Sequence, residues 1–362
     1  MSDKKHKRVD IASVAKAAGV SPSTVSRYFN HPTLVKLVTR RKIETAVRKQ
    51  GYIRNRAAQT IHGIRSGTIG VIVPTLDHAI FAEVVQSFSD TVAEQGFTIL
   101  LASHGYDQQR EYAILRKLLE HRVDGIVLTG LDHDEAVFRL IDSQTIPSIL
   151  MWNYAKDARY PSIGSDNKSA GSMIAELLLS QGHRDIACMF PPTYGNDRAQ
   201  ARFLAVMQTL ADAGVSVPDH WQLTTVYSIS ESKRDILELL SKTERPTAII
   251  CGNDILATGA LYGAAAAGLR VPNDISITGI GDFKGSSEIE PALTTVRIPA
   301  KRIGHEAGRA LSSAIITPGS MTDGVHCEPE LIVRTSSAPL VRTTAPDFGP
   351  SPRSDHLSRR CD

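Results

Sequence analysis

Cysteine is scarce in this chain. Its four residues, Cys188, Cys251, Cys327 and Cys361, stand far apart and form neither a CxxC pair nor a metal-ligand spacing. That pattern excludes a disulfide scaffold and a zinc finger, and it predicts buried free thiols in a reducing compartment. No apolar run approaches the ~20 residues that a membrane helix needs. The opening Met-Ser-Asp-Lys-Lys-His-Lys-Arg has no apolar stretch after its charges, as a secretory signal would require. A cytoplasmic protein without membrane contact is therefore expected. Catalytic signatures are missing as well: there is no P-loop, HExxH or GxSxG. The segment TGIGDFKG approaches a dinucleotide loop, but Lys284 stands where the third glycine belongs, and the twelve histidines show no metal spacing. The sequence thus predicts no enzyme, no cofactor and no metal.

Acidic side chains are nearly absent from the N-terminus. Residues 1–65 carry 15 Lys+Arg against 3 Asp+Glu, a formal +12, while the 362-residue chain totals only +3. Residues 66–362 therefore carry −9, from 26 basic and 35 acidic side chains. A basic head on an acidic body is the charge footprint of a nucleic-acid reader joined to something else.

The head has its own pattern. In VDIASVAKAAGVSPSTVSRYFN, Ile11, Val14, Ala15 and Ala18 recur at helical spacing, with Asp10 placed to cap the helix and Gly19 to stop it. Ser21 is placed to cap a second helix, with Pro22 at its first position, where a missing N–H costs nothing. Val20, Val25 and Phe29 are expected inside; Ser23, Thr24, Ser26 and Arg27 are expected outside. A third helix, residues 39–50, adds Ile43, Ala46 and Val47 to the small core. Two short helices joined through a glycine turn make either a plain helical hairpin or a DNA-binding helix-turn-helix, and the +12 charge favours the second.

From Thr68 onward, apolar runs alternate with helical ones. TIGVIVP, FTILLAS, DGIVLTG and IPSILMW are followed by a break near Arg159 and Pro161, and then by DIACMFP, TAIICGN and ISITGIGD. Continuous apolar runs separated by helices imply parallel βαβ units. Two sets in succession predict two doubly wound parallel sheets, with a ligand cleft at the carboxyl ends of the strands. LTTVRIP and a helix over 303–315 are expected to cross back between the lobes.

DIASVAKAAGVSPSTVSR, then GYIRNRAAQTIHG, then TIGVIVP resembles the LacI/GalR family of bacterial transcriptional repressors, over roughly residues 9–339. The stretch FAEVVQSFSDTVAEQGFTILLASHGYD resembles its gluconate-type branch. The resemblance implies an N-terminal all-α helix-turn-helix domain and an α/β two-lobed, periplasmic-binding-protein-like core. The corresponding boundaries are a basic arm (1–8), a helix-turn-helix domain (9–54), a hinge helix and linker (55–67), a two-lobed domain (68–339) and a disordered tail (340–362). A homodimer on double-stranded operator DNA is implied, gated by a small-molecule effector, a sugar acid or a sugar. The tail lacks a leucine heptad, so nothing supports a tetramer.

By this resemblance Pro22, Ser23 and Arg27 take base-contacting positions, and an arginine fork suits guanine O6 and N7. Ser21, Thr24 and Asn30 fall at phosphate-holding positions. Asn55, Arg56, Ala58 and Ile61 belong to the hinge, with Ile61 as the minor-groove wedge. Ile61 stands where leucine is usual, and Arg54 replaces a common proline. In the cleft, His78, Phe81, Asp166, Arg202, Asn253, Asp254 and Asp282 match effector-pocket positions. Asp166 and Asp254 also fit as helix N-caps, and Arg202 as a solvated helix residue. Trp152 and Gly281 stand where the family has aspartates, and Arg198 adds a cation one turn before Arg202. Lost acids and a gained cation point to an anionic effector stacked on Trp152. A neutral sugar also suits a tryptophan face. A sugar-binding protein without DNA function, or a regulator of a non-sugar metabolite, are the alternatives.

Overall fold

The computed structural model describes residues 9–53 and 65–340. The basic arm 1–8, the hinge residues Asn55, Arg56, Ala58 and Ile61, and the tail from 341 onward lie outside the described residues. The chain divides into two units, Met1–Ser66 and Gly67–Asp362, each with its own core.

In the first unit, α1 (Ile11–Ala18), α2 (Pro22–Asn30) and α3 (Leu37–Gln50) enclose Val14, Ala15, Ala18, Val25, Ile43 and Ala46. The Asp10 carboxylate accepts from the Ser13 N–H at 2.8 Å and starts α1. Gly19, at φ +67°, ends it in the left-handed region that costs glycine nothing. Ser21 accepts from the Thr24 N–H at 3.2 Å and starts α2. α3 begins two residues before the expected Thr39. Leu37 and Val38 are 61% and 68% exposed, so the first turn adds nothing to the apolar stripe that marks a helix in sequence.

The second unit holds two sheets. β1 (Thr68–Val73), β2 (Thr98–Ser103), β3 (Gly125–Thr129), β4 (Ser148–Asn153), β5 (Ser162–Ser165) and the late β11 (Gly324–His326) form an all-parallel sheet ordered β11-β5-β4-β3-β1-β2. β6 (Ile186–Phe190), β7 (Gln222–Thr224), β8 (Ala248–Cys251), β9 (Ser276–Gly281), β10 (Thr294–Arg297) and β12 (Glu330–Ile332) form the other, ordered β12-β10-β9-β8-β6-β7. Only β12 runs antiparallel, against β10. Each central strand is buried along its length, as its unbroken apolar run requires, at ~1.5–3 kcal/mol per large side chain. β2 departs from the expectation of a buried run: it is an edge strand, and Leu100 and Leu101 are each 36% exposed.

The helices are α4 (Ala79–Glu94), α5 (Gln108–Glu120), α6 (Glu135–Gln144), α7 (Asn167–Ser180), α8 (Asp197–Asp212), α9 (Ile229–Leu240), α10 (Asp254–Ala266) and α11 (Ala300–Ile316). β5, β7, β11, β12, α7 and α9 were not marked by the sequence pattern. α11 does cross back: it packs on α4 and β4 of the first lobe. The chain passes between lobes after β5, after β10 and between β11 and β12. Among the described residues, no helix is long and apolar enough to cross a membrane.

Candidate functional site

The first unit presents α2 as a polar, basic surface. Ser21, Pro22, Ser23 and Arg27 are exposed. Thr24 and Ser26 were expected to face fully outward but are half-buried. The Thr24 hydroxyl is tied to Ser21 Oγ at 2.8 Å, and Ser26 Oγ accepts from Asn30 Nδ2 at 3.4 Å. These local bonds draw both hydroxyls down onto the helix surface. Arg27, in the last turn of α2, keeps an exposed guanidinium. A groove between α1 and α3 adds Lys16, Arg41, Lys42 and Lys49, with no acidic side chain on its walls. Such a surface suits phosphates, and its one exposed arginine fork on α2 suits a base edge.

In the second unit a small cavity lies between the lobes, beyond the carboxyl ends of the strands. It is lined by His78, Ile80, Phe81, Tyr106 and Trp152 from the first lobe and by Arg198, Arg202, Tyr227, Asn253 and Phe283 from the second. Its volume is about 20 Å³, room for about one water, so the lobes stand closed upon each other. The walls are largely aromatic. His78 meets Tyr227 edge-on at 4.6 Å between centroids, Phe81 meets Trp152 at 5.3 Å, and Tyr106 lies 6.2 Å from Tyr227.

The polar complement is one-sided. Asn253 Oδ1 is used as the N-cap of α10, accepting from the Leu256 N–H at 3.0 Å. Arg202 donates from Nε to Asn167 Oδ1 at 2.7 Å and from Nη1 to the Gly252 carbonyl at 3.1 Å. Arg198 Nη1 donates to Asp197 at 2.9 Å, while its Nη2 is buried without an acceptor among the described residues. Trp152 Nε1 is likewise buried without an acceptor. These two donors come from opposite lobes, and among the described residues no carboxylate lines the cavity. Burial lowers the pKa of His78, with Asp77 opposing and Arg198 adding to the shift, so its neutral form is favoured. Burial also holds Tyr106 well above the usual phenol range, and it lowers the pKa of Arg202.

Of the residues expected in this pocket, His78, Phe81, Trp152, Arg198, Arg202 and Asn253 come together on its wall, and Arg202 is buried rather than solvated. Asp166, Asp254 and Asp282 do not line it. Asp166 caps α7, accepting from the Lys168 N–H at 2.9 Å. Asp254 turns into the second lobe, accepting from Phe283 N, Ser286 Oγ and Thr295 Oγ1 at 2.8, 2.7 and 2.6 Å. Asp282, at φ +51°, pairs with Arg297 at 2.8 Å and Arg334 at 2.7 Å. Tyr106, Tyr227 and Phe283 line the cavity without having been singled out. Their one sequence signal is position: they follow β2, β7 and β9, past the carboxyl ends where a ligand was expected.

Comparison with known proteins covers both units. The family of periplasmic binding proteins and sugar binding domain of LacI family matches residues 66–333, and the bacterial regulatory proteins of the lacI family match residues 10–55. The HTH-type transcriptional repressor PurR of Klebsiella pneumoniae (strain 342) is 31% identical over 331 residues, 91% of this chain and 96% of that protein. Among solved structures, the lac repressor dimer bound to operator and the anti-inducer ONPF superposes with a TM-score of 0.80 at 25% identity, covering 92% of this chain and all 100% of that one. The transcription regulator GntR from Chromobacterium violaceum superposes with a TM-score of 0.71 at 28% identity, over 75% of this chain and 99% of that one.

Proposed function

This chain belongs to the LacI family of DNA-binding transcriptional repressors, and we propose that it is a dimeric regulator of sugar-acid or carbohydrate metabolism, gated by a small sugar acid held between its lobes. The observation that carries the effector class is a cavity wall that holds Arg198 and Arg202 and, among the described residues, no carboxylate, with Arg198 Nη2 and Trp152 Nε1 buried without an acceptor. A neutral sugar's hydroxyls each donate as well as accept, and their donors find no carboxylate on this wall. A carboxylate presents acceptors only, and buried donors left unpaired cost ~1–3 kcal/mol each. The aromatic walls suit the carbon face of the same ligand. With about 20 Å³ between the walls, the lobes open to admit it and close around it.

On DNA, two copies of α2 read successive major grooves of a pseudo-palindromic operator, with Arg27 gripping a guanine and Pro22 and Ser23 beside it. Ser21, Thr24 and Asn30 hold register on phosphates. The hinge residues Asn55, Arg56, Ala58 and Ile61 enter the minor groove between the two heads. Exposed Leu100 and Leu101 on the edge strand β2 support a surface covered by a second copy, since bare apolar edges invite association. Lobe closure and operator binding are coupled in both directions, at a typical ~1–3 kcal/mol, or ~5- to 150-fold in affinity.

A thermal-shift screen of the full chain against D-gluconate, other sugar acids, neutral sugars and sugar phosphates tests the effector class. A sugar acid is expected to raise the Tm, by roughly 2.7 kcal/mol of stabilisation at a hundredfold excess over Kd. Arg198→Gln is expected to abolish that rise. If neutral sugars alone raise the Tm, the effector is not an acid.

A further inference from the structure

Asp197 reaches across the cleft. It is the first residue of α8, in the second lobe, yet its Oδ2 accepts from the Leu131 N–H at 2.7 Å and from Asn153 Nδ2 at 2.8 Å, both in the first lobe. Its Oδ1 accepts from Arg198 Nη1 at 2.9 Å, and the same Nη1 reaches the Thr129 carbonyl of the first lobe at 3.4 Å. Asn153 extends the bridge: its Oδ1 accepts from Asn167 Nδ2 at 3.0 Å, and Asn167 Oδ1 accepts from Arg202 Nε at 2.7 Å. Gly130 makes the approach possible. It sits at φ +105°, and a Cβ there would lie 2.7 Å from Arg198 Nη1 and 3.0 Å from Asp197 Oδ1.

We propose that Asp197 is a positioning residue that latches the lobes shut and holds Arg198 so that its remaining N–H face meets the effector. The latch rests on the effector reading only for what it controls; its own geometry is complete without a ligand. All of its bonds to the first lobe are made only when the lobes are closed, so their strength is set entirely against the open state. They are also charge-assisted, and hence stronger than neutral hydrogen bonds. Arg198 is shared: Nη1 belongs to the latch, while Nη2 is buried without an acceptor among the described residues and the residue lines the cavity. An acid bound at Nη2 therefore adds to the closed state without dismantling the bonds that define it. The same carboxylate thereby sets both how much closure exists before ligand arrives and how well the ligand's partner is aimed.

The test needs no ligand, so its result is independent of what the cavity binds. Trp221→Phe leaves Trp152, buried in the cavity wall, as the one tryptophan, and acrylamide quenching of its fluorescence then reports lobe opening. In the full chain with that background, Asp197→Ala is expected to shift the open–closed ratio by roughly tenfold or more, seen as stronger quenching and a red-shifted emission. Asn153→Asp, which sets a carboxylate against Asp197, is expected to open the lobes as well. Trp152 staying as shielded in Asp197→Ala as in the parent, with the far-UV circular dichroism unchanged, would overturn the latch. If Asp197→Ala does not fold, the decision passes to Asn153→Asp, and unchanged shielding of Trp152 in that variant overturns the proposal equally.

Discussion

Asp254 shows how little a residue's identity says about its direction. Burial pushes its pKa up, yet two hydroxyls and a backbone N–H donate to it, and all three lie within its own lobe. Its acceptor capacity is spent on holding the turn after β9 against α10. Three buried histidines bear on the pH response. His78, His104 and His183 are buried, and burial lowers the pKa of each below the ordinary 6.5. In the window just below 6.5 the unfolded chain binds more protons at these sites than the folded one, so stability rises with pH there. Their contribution is complete above 6.5 and is lost as pH falls toward the lowered values. The Tm of the protein is accordingly expected to drop between pH 7 and pH 5, by up to about 1.4 kcal/mol per site for each unit of pKa shift. His183→Gln removes one such site and is expected to flatten the drop in a pH series of melting curves. His183 contacts Thr247 Oγ1 at 3.0 Å and the Ala338 carbonyl at 3.1 Å, far in sequence from both.

At the scale of elements, β4 and β5 position the cavity wall together. Trp152 pairs with Gly164 across the two strands and holds φ at +92°, outside the range a bulky side chain prefers. A Cβ on Gly164 would collide with the Trp152 carbonyl. Gly164→Ala is therefore expected to cost ~1–3 kcal/mol of stability in a urea melt, and to remove the sugar-acid thermal shift by displacing Trp152. β5 was also among the elements the sequence hid. Its SIGS is short and lacks apolar side chains apart from Ile163, because neighbouring strands rather than its own residues supply the core. α7 opens with Asn-Lys-Ser-Ala-Gly-Ser, which carries no apolar stripe; Asp166, which fits an N-cap in the sequence, does cap it, and Ile174 and Leu178 bury its far end. The long strand–helix repeats, by contrast, were legible because their apolar runs are continuous. Of the cavity, the repeat gave the place, at the carboxyl ends of the strands, and the family resemblance gave the individual residues. Tyr106 and Tyr227 could not, because a single aromatic residue in a loop carries no period.

At the scale of the whole molecule, the charge split follows the two structural units, Met1–Ser66 and Gly67–Asp362. Deleting residues 1–65 is expected to abolish operator binding in an anisotropy titration while leaving the ligand-induced thermal shift in place. Retained operator affinity would contradict the assignment of DNA binding to the basic head. The order in which the chain is made adds a constraint of another kind. The first lobe obtains its outer strand β11 and its covering helix α11 only after β6 to β10 of the second lobe have been synthesised. Until then α4 lacks the partner over Val84, Phe88 and Thr91, where Gly304 and Gly308 allow α11 to settle against its backbone. A ribosome-bound chain therefore holds a first lobe of five strands, without β11 or α11, until β6 to β10 have been made. β11 and β12, in immediate succession, then complete the two sheets together, a direct consequence of the triple crossing.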